Sequence, residues 1–476
     1  MFATLATEML ENVFSYLSRR DLTSVTRVCG SFAFCGRLLL YRSVEFCSAD
    51  PHIGLTLKLL RENCKMGVKI LSAILTTHRP AVGEGSRPWI EPDFLVHWKR
   101  LHSLELRGFP FSSPHDVQLF TSTLRRSCPK LEHFTFQPQF GFLPSEGFEL
   151  SKLKAVKWKS ELATIDMPIM PIMTASIDSL THISFVGTVV HRRDKPYDEF
   201  LQLQFPCLKS LELGSLLHSN SEPRTNTTIT KFILDHAGIE HLSLGRSRPK
   251  YFYFQFDLDL LKPESLLSLK SFEGFPENIT AMARLPVHSL FSLASLSICC
   301  QKDENDQNQP VDEMFLAIQG GVERTLPSVR YLRFNFVVSF DHRMTLNQTS
   351  RAHLDWMDKL SHICPGVVEF WGNLPPMTSG HIIKMFEMYE HLETISLMRL
   401  SIFPHMPTSQ AESYLGNYFK DISEKCKKLK TVVARKPPFT QLEDWSFTLK
   451  RDRDGKLTAV DEDPVRIDGD KFNWLQ

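Results

Sequence analysis

The chain has 476 residues, which exceeds one ordinary compact domain but is a normal length for a protein built from repeats. Hydrophobic residues make up 42% and charged residues 23%, the proportions of a folded soluble chain. Lysine and arginine number 55 against 54 aspartate and glutamate, and the formal charge of +1 gives no global attraction to nucleic acid or to an anionic membrane.

The N-terminus does not have the pattern of a signal peptide, because Glu8 and Glu11 interrupt its apolar residues and no basic stretch precedes them. No uncharged apolar run reaches about 18 residues, so we expect no transmembrane helix. The ten cysteines are scattered and are expected to be reduced, buried thiols. We therefore expect a cytoplasmic or nuclear location, between which the sequence does not choose.

Residues 1–46 are predicted to form three short helices. The first begins near Thr7 and carries apolar residues at the i, i+3, i+4 and i+7 spacing of an amphipathic helix: Leu10, Val13, Phe14 and Leu17. The second, capped by Asp21, carries three apolar residues: Leu22, Val25 and Val28. A third apolar stretch runs from Phe32 to Tyr41. Three such helices bury too little surface to be stable alone, so they need a neighbouring domain or another protein.

The order of these residues resembles the F-box family over about 40 positions. The matching residues are Leu5, Glu8, Leu10, Val13, Phe14, Leu17, Asp21, Leu22, Val25, Val28-Cys29, Phe32 and Leu40-Tyr41. The family's Leu-Pro opening is Leu5-Ala6 here, which lacks a helix-starting proline, and its tryptophan after Val-Cys is Phe32. The resemblance implies a trihelical module that binds the Skp1 subunit of a cullin-based ubiquitin ligase.

The same resemblance implies which side chains contact Skp1: Leu5, Leu10, Val13, Phe14, Leu17, Leu22, Val25, Val28, Phe32 and Tyr41. An alternative interpretation needs no ligase. In it, the three helices are a structural cap that covers the first repeat of the domain behind them.

A phrase of the form Leu-x-x-Leu-x-Leu, with aromatic or β-branched substitutes, recurs from residue 101 onward at a mean spacing of about 30 residues. Its copies begin at Leu101, Leu131, Leu153, Leu180, Leu208, Ile239, Leu269, Leu293, Val329, Val367, Leu392 and Leu429, and a weaker first copy is placed at Val68-Leu71. The last three positions point inward, outward and inward, as in a short strand. This period is typical of irregular leucine-rich repeats.

Amphipathic helices are predicted before several of the strands, over Pro114–Cys128, Thr227–His236, 379–389 and Gln410–Cys426. Helix and strand in alternation give parallel strands with right-handed crossovers. We therefore predict an α/β leucine-rich-repeat solenoid of about 12–13 irregular repeats, with strands on the concave side and helices outside. Cysteines beside the proline that precedes a strand, as at Cys128-Pro129 and Cys364-Pro365, are interpreted as packing residues.

Polar stretches interrupt the repeats and are predicted to be loops: residues 79–93, 214–227 and 301–312. Near the C-terminus Trp445, Phe447 and Leu449 alternate with polar residues, and Asp454-Gly455 marks a tight turn. These features predict a β-hairpin that closes the last open sheet edge. The predicted domains are a helical module at 1–46, a solenoid at 47–436, and a hairpin cap with a charged tail at 437–476.

No constellation of residues supports catalysis, a metal or a cofactor. Cys299-Cys300 lacks the spacing and the second ligand pair of a zinc site. Residues 450–455 place Lys450 at the first position of a calcium loop, where an oxygen ligand is needed, and a hairpin turn is favoured. The chain is therefore predicted to be non-catalytic and to carry no cofactor.

Two hypotheses remain. In the first, the chain resembles F-box proteins with leucine-rich repeats, of the divergent type common in fungi. It would be the substrate-recognition adaptor of an SCF ubiquitin ligase, binding Skp1 and through it cullin, with an unknown protein target on the solenoid. In the second, it is a non-catalytic leucine-rich scaffold with the N-terminal helices as a cap.

The candidate target contacts are the outward strand residues, namely Glu105, Thr135, Lys157, Ser184, Glu212, Ser243, Ser297, Arg333, Ser396 and Val433. They share neither one sign of charge nor an aromatic ladder, which argues against a nucleic-acid groove. We therefore expect a protein partner, and neither nucleic acid nor membrane.

Overall fold

The structure is a computed structural model. It describes residues 7–17, 19–48, 50, 52–62, 67, 70–77, 92–109, 114–138, 149–160, 170–187, 189–190, 199–213, 216–217, 223–244, 254–262, 264–284, 289–301, 309–319, 325–337, 346–373, 379–398, 421–435, 444–452 and 454–465. The chain divides into two compact units, Met1–Leu208 and Lys209–Gln476.

The first unit begins with three helices, α1 (Thr7–Phe14), α2 (Arg19–Val25) and α3 (Gly30–Leu40). We call them the helical module. Both α1 and α2 pack on α3, and Gly36 permits the close approach of α2, since a Cβ there would lie 2.7 Å from Thr26 Cγ2. The first helix is shorter than predicted, so Leu17 follows it in a turn. Asp21 lies in the first turn of α2, two residues after its start, and was wrongly predicted as its cap.

Six parallel strands follow in chain order: β1 (Ser43–Cys47), β2 (Ser72–Thr76), β3 (Ser103–Phe109), β4 (His133–Pro138), β5 (Ala155–Ser160) and β6 (His182–Gly187). Between them lie α4 (Ile53–Glu62), a 3₁₀ helix (Pro92–His97), α5 (Pro114–Ser127) and α6 (Met170–Ala175). Each of the four predicted phrases from Leu101 to Leu180 precedes and enters its strand, as predicted.

Two features at the start of this sheet were missed or misplaced by the sequence pattern. Strand β1 was not predicted, although Tyr41, Val44 and Phe46 have the spacing of the phrase. The predicted copy at Val68-Leu71 was wrong by two residues, because Ile70, Ala73 and Leu75 are the residues at 0–1% exposure around β2. Alanine at the middle inward position made the pattern hard to recognise.

A backbone motif marks the entry to most of the parallel strands. The carbonyl of Arg42 accepts hydrogen bonds from the amides of Leu71 (2.9 Å) and Ser72 (3.1 Å), and the carbonyl of Leu71 accepts them from His102 and Ser103. The same two-to-one arrangement recurs at the carbonyls of His102, Glu132, Lys154, Lys209, Glu240, Lys270, Ala294, Arg330, Val368 and Glu393. Within each unit, a single carbonyl thus fixes the register between these successive repeats, whatever the length of the intervening segment.

The second unit contains eight parallel strands in chain order: β7 (Ser210–Leu213), β8 (His241–Ser243), β9 (Ser271–Gly274), β10 (Ser295–Gln301), β11 (Tyr331–Val337), β12 (Glu369–Asn373), β13 (Thr394–Met398) and β14 (Thr431–Arg435). Its helices are α7 (Pro223–Asp235), α8 (Pro276–Ala283), a 3₁₀ helix (Ser289–Ser292), α9 (Gln309–Gln319), α10 (Leu346–Ile363) and α11 (Ser379–Glu387). Residues 421–425 are also helical. Two-residue strands at Val189–Val190 and Leu216–Leu217 lie outside both parallel series.

The inward strand residues form the core with the helices. Phe370 of β12 contacts Phe386 of α11, with ring centroids 5.0 Å apart, and also Tyr389. Burial of such side chains contributes about 1.5–3 kcal/mol each. Parallel strands, intervening helices and one buried phrase per repeat establish a leucine-rich-repeat-like architecture in each unit.

The predicted hairpin is present. Strand β15 (Asp444–Arg451) pairs antiparallel with β14, and β16 (Leu457–Val465) pairs antiparallel with β15. Gly455 adopts a φ of +79° in the turn, where glycine has no Cβ to clash. An edge that would be open at β14 is therefore covered by the chain itself.

Most of the predicted polar loops lie outside the described residues, as does the predicted helix from Gln410 to residue 420. All three interruptions end earlier than predicted, since the first 3₁₀ helix starts at Pro92, α7 at Pro223 and α9 at Gln309. Proline at or near a helix start supplies a preset φ without costing a hydrogen bond.

Candidate protein-docking surfaces

The helical module has a small core of its own. Leu10, Phe14 and Leu22 are 2%, 5% and 8% exposed and form a cluster with buried Cys35. Leu17, Val25 and Phe32 are partly buried and pack against this cluster. Six of the predicted Skp1 contacts therefore take part in holding the three helices together.

Two predicted contacts do lie on the surface, Val13 at 57% exposure and Val28 at 66%. Three further apolar side chains are as open and were missed by the sequence interpretation: Met9 (56%), Tyr16 (85%) and Phe34 (52%). Met9, Val13 and Tyr16 follow an i, i+4, i+7 spacing, so they share one side of α1 and its following turn. The sequence did contain a signal for these exposed residues. Helix α1 carries a second apolar stripe in addition to the stripe that packs in the core.

The remaining two predicted contacts differ from both groups. Leu5 lies outside the described residues. Tyr41 is half-buried and caps the C-terminus of α3: its backbone amide donates to the carbonyl of Arg37, and the next amide, that of Arg42, donates to the carbonyl of Leu39. Tyr41 also occupies the first position of the repeat phrase that enters β1. It therefore lies at the junction between the helical module and the first repeat.

We call the five exposed residues Met9, Val13, Tyr16, Val28 and Phe34 the module apolar surface. Isolated exposed apolar residues are common on soluble proteins. Five on a module of about 35 residues is a dense set, and the three on α1 and its following turn share one side. The module therefore offers side chains for docking that its own core does not use.

A second candidate surface is the face of each sheet opposite the helices. The strand pairing places the predicted outward residues in register, Glu105 beside Thr135 beside Lys157 in the first unit, and Glu212 beside Ser243 in the second. They share one face, as predicted. We call it the polar face.

The predicted exposure of the polar face was wrong for most of its residues. Lys157, Ser184, Glu212, Ser243, Ser297, Ser396 and Val433 are 0–9% exposed, whereas Glu105, Thr135 and Arg333 are partly exposed. Strands about 4.8 Å apart bring side chains of one row into mutual contact. The serines of this face are the most buried, because their short side chains are covered by the longer side chains beside them.

Glu273 shows this mutual contact directly. The hydroxyls of Ser243 and Ser297, one on each neighbouring strand, donate to its carboxylate at 2.6 and 3.2 Å, and Cys299 Sγ lies 3.8 Å away. The carboxylate is 1% exposed. Hydrogen-bond donors of this kind offset the cost of burying the charge. These contacts therefore hold three neighbouring strands together and stabilise this part of the polar face.

An ion-pair network occupies the more open end of the polar face in the first unit. Arg107 Nε and Lys159 Nζ donate to Glu105 Oε1 at 2.9 and 2.8 Å, and Arg107 Nη1 lies 3.6 Å from Glu45 Oε1. Burial alone would raise the pKa of Glu105, but the hydrogen bonds from Arg107 and Lys159 outweigh it, so the pKa lies below its ordinary value. Glu105 is thus held as a carboxylate.

The cysteines beside strand-entry prolines are packing residues, as predicted. Cys128 and Cys364 are 3% and 0% exposed, and burial raises the pKa of each thiol to about 12. A thiol with such a pKa is protonated at neutral pH and is a poor nucleophile. In the described part of the chain, no group of three or more metal-ligating side chains comes together.

No helix among the described residues has the length and apolar character needed to cross a membrane. No protein-family model matches the chain, and no curated protein matches it. Solved structures do align with the chain at low sequence identity, among them the following two. The leucine-rich repeat-containing protein LegL7 from Legionella pneumophila covers 82% of this chain and 92% of its own, with 13% identity and a TM-score of 0.38. The Rad7 and Elc1 complex in yeast covers 82% and 86%, with 11% identity and a TM-score of 0.35. The repeat architecture described above rests on strand pairing and not on these alignments.

Proposed function

We propose that this chain is the substrate-recognition adaptor of an SCF ubiquitin ligase. The helical module binds Skp1, and through it cullin, and the repeats hold a protein target. The observation that carries the proposal is one module that combines an F-box-like residue order with an apolar surface left exposed by its own core. Such a ligase subunit would work in the cytoplasm or the nucleus.

Docking uses the module apolar surface. Met9, Val13 and Tyr16 present one side of α1 to an apolar groove on Skp1, while Val28 and Phe34 add contacts from the turn before α3 and from α3 itself. The core residues Leu10, Phe14 and Leu22 position these side chains. Their role is indirect, because they fix the angles between the helices.

The adaptor works by tethering. A target held on the repeats meets the ubiquitin-loaded enzyme at a high effective concentration, set by the geometry of one assembly and not by diffusion. The chain forms no covalent intermediate in this mechanism and needs no cofactor.

The test is binding of purified Skp1 to the full chain, measured by calorimetry and by pull-down with cullin. We expect the double variant Val13→Asp, Val28→Asp to bind at least about 100-fold more weakly, since each charge would have to be desolvated against an apolar partner. Both positions are exposed, so the circular dichroism spectrum should not change. Leu55→Asp on α4, at an equally exposed position of 60%, is the matched control and should bind like the wild type.

The cap hypothesis remains the second candidate, and one observation favours it. α3 ends at Leu40 and β1 starts at Ser43, so the module continues into the first repeat with almost no linker. If the module is only a cap, the wild-type chain binds no Skp1 and deletion of residues 1–42 causes aggregation without loss of a partner. Absence of Skp1 binding by the wild type would sink the adaptor proposal.

A further inference from the structure

A cleft of about 610 Å³ lies in the first unit where the helical module meets the first three strands. Its repeat side is lined by the same two positions from three successive repeats: Arg42-Ser43, Leu71-Ser72 and His102-Ser103. Its module side is lined by Phe14, Ser15, Leu22 and Leu39. The volume is comparable to that of small-molecule sites, which is about 300–1,000 Å³, and the cleft is an open groove and not an enclosed cavity.

The three serines form a row of hydroxyls. Ser43 pairs with Ser72 and Ser72 with Ser103 in the parallel register, so the hydroxyls repeat at the strand spacing of about 4.8 Å. The strand-entry carbonyls of Arg42 and Leu71 fix these positions through paired amide hydrogen bonds of 2.8–3.1 Å. Within the part of the chain that the structure describes, none of the three hydroxyls makes a hydrogen bond to protein. The row is therefore available to a ligand that replaces the solvent around these hydroxyls.

The charged groups at the cleft favour an anion. Arg42 is exposed and contributes a guanidinium, and His102 contributes an imidazole whose Nδ1 lies 3.9 Å from Glu132 Oε2. No carboxylate lines the cleft itself. Glu132 stands outside the lining and is engaged by Lys154 Nζ at 2.8 Å. A guanidinium beside hydroxyl donors is a typical arrangement for binding a carboxylate or another oxyanion.

The opposite wall is mainly apolar and offers a small contact area to an apolar body on the same ligand, since Phe14 and Leu22 are 5% and 8% exposed. Phe14 and Leu22 belong to the module core, and Leu39 packs against it, so their inward-facing surfaces are fixed. Leu71 adds an apolar contact from the repeat side. A purely ionic ligand would leave the apolar surface of this wall in contact with water. An anion that also has an apolar part would remove that surface from water, which favours its binding.

We propose that this cleft binds a small organic anion with an apolar body. The anionic group is held by Arg42 and the serine hydroxyls, and the apolar body lies against Phe14, Leu22 and Leu39. The site is distinct from the module apolar surface, and the proposal does not depend on Skp1 binding. It adds a small-molecule ligand to a chain whose proposed partners are proteins.

The test uses the full chain and the fluorescent aromatic sulfonate 8-anilinonaphthalene-1-sulfonate as the probe. We expect a saturable fluorescence increase that decanoate displaces and decylamine does not. Arg42→Ala should weaken probe binding at least about tenfold, and Ser72→Ala about threefold, because each removes donors to the anion. Arg125→Ala on α5 removes an exposed arginine away from the cleft and should bind like the wild type.

Two results would overturn the proposal. One is equal affinity of the wild type, Arg42→Ala and Ser72→Ala, with all three folded by circular dichroism. The other is loss of probe binding in Val13→Asp together with full retention in Arg42→Ala, since the probe would then be reporting the module apolar surface. Skp1 binding by the same variants is measured in a separate experiment. If the anion proposal is contradicted, the adaptor proposal is therefore unaffected.

Discussion

The rings of Phe14 and Phe32 meet edge to face, with centroids 5.1 Å apart and ring planes at 82°. This contact joins α1 to α3 beside the buried residues Leu10 and Leu22. Phe14 and Phe32 both stand at positions where the F-box resemblance implies Skp1 contacts. The structure uses Phe14 to hold the module together, so a substitution there changes the stability of the module before it changes docking.

We expect Phe14→Ala to destabilise the helical module by about 3 kcal/mol, through lost burial and the cavity it leaves. Hydrogen exchange of the amides in α1–α3 should then approach the unprotected rate. Tyr16→Ala, at 85% exposure, is the control and should change the stability by less than about 0.5 kcal/mol. A double-mutant cycle with Phe32→Ala should give a coupling of about 0.5–1.5 kcal/mol. Equal exchange in Phe14→Ala and the wild type would contradict the assigned core.

Arg451 connects the terminal hairpin to the last repeat. Its Nη2 donates to the carbonyls of Cys426 and Leu429 at 3.0 and 3.3 Å, and its Nη1 to those of Ser423 and Gly455 at 3.0 and 2.8 Å. We expect Arg451→Met to destabilise β15–β16 by about 2–4 kcal/mol, since it leaves several carbonyls without their donor. Faster amide exchange confined to the hairpin is the readout.

Lysine should not rescue this position, because an ammonium lacks the planar fork that reaches several carbonyls at once. We therefore expect Arg451→Lys to resemble Arg451→Met in the exchange of the hairpin amides. Lys456→Met, at an exposed position between β15 and β16, is the matched control. Wild-type exchange in Arg451→Lys would show that charge alone explains the contact.

The lowered pKa of Glu105 predicts a pH dependence. A carboxylate whose folded pKa is depressed contributes stability above its unfolded pKa, and this contribution is lost as pH falls through the folded pKa. Lys159→Met should therefore lower the free energy of unfolding by about 1 kcal/mol at neutral pH and by progressively less as the pH falls below the ordinary value of 4.5. Urea denaturation at several pH values measures this difference.

Lys58→Met is the control for that experiment, because Lys58 and Glu62 form an ion pair whose side chains are more than half exposed. Such pairs contribute little to stability. A stability difference between the wild type and Lys159→Met that stays constant from neutral pH to pH 3 would contradict the coupling of Lys159 to Glu105.

We expect the cysteines to differ in their rates of alkylation. Cys207 is exposed, whereas burial raises the pKa of Cys128, Cys364 and Cys426 to about 12. Iodoacetamide at pH 8 should therefore label Cys207 at least about 100-fold faster than these three in the native protein. Mass spectrometry of peptides gives the rates, and labelling in denaturant, where all four should react alike, is the control.

Periodicity in the sequence was sufficient to locate most of the repeats. From Leu101 onward each copy of the phrase coincides with a strand or its entry, because two inward apolar residues per strand are needed wherever a sheet is covered by helices. The pattern failed where the inward residue is small, at Ala73, and where the phrase starts inside a helix cap, at Tyr41. At both places the partner strand, and not the residue type, determines the register.

The sequence by itself determined that the chain is a series of strands and helices with a small helical module in front, because local apolar spacing dictates which elements form. It could not divide the module's apolar residues between core and surface. Leu10 and Val13 are equally apolar neighbours on α1, yet only the packing of α3 decides that the first is buried and the second exposed. The cleft beside Arg42 likewise exists only in three dimensions, since its serines are about 30 residues apart in the chain and become neighbours through strand pairing.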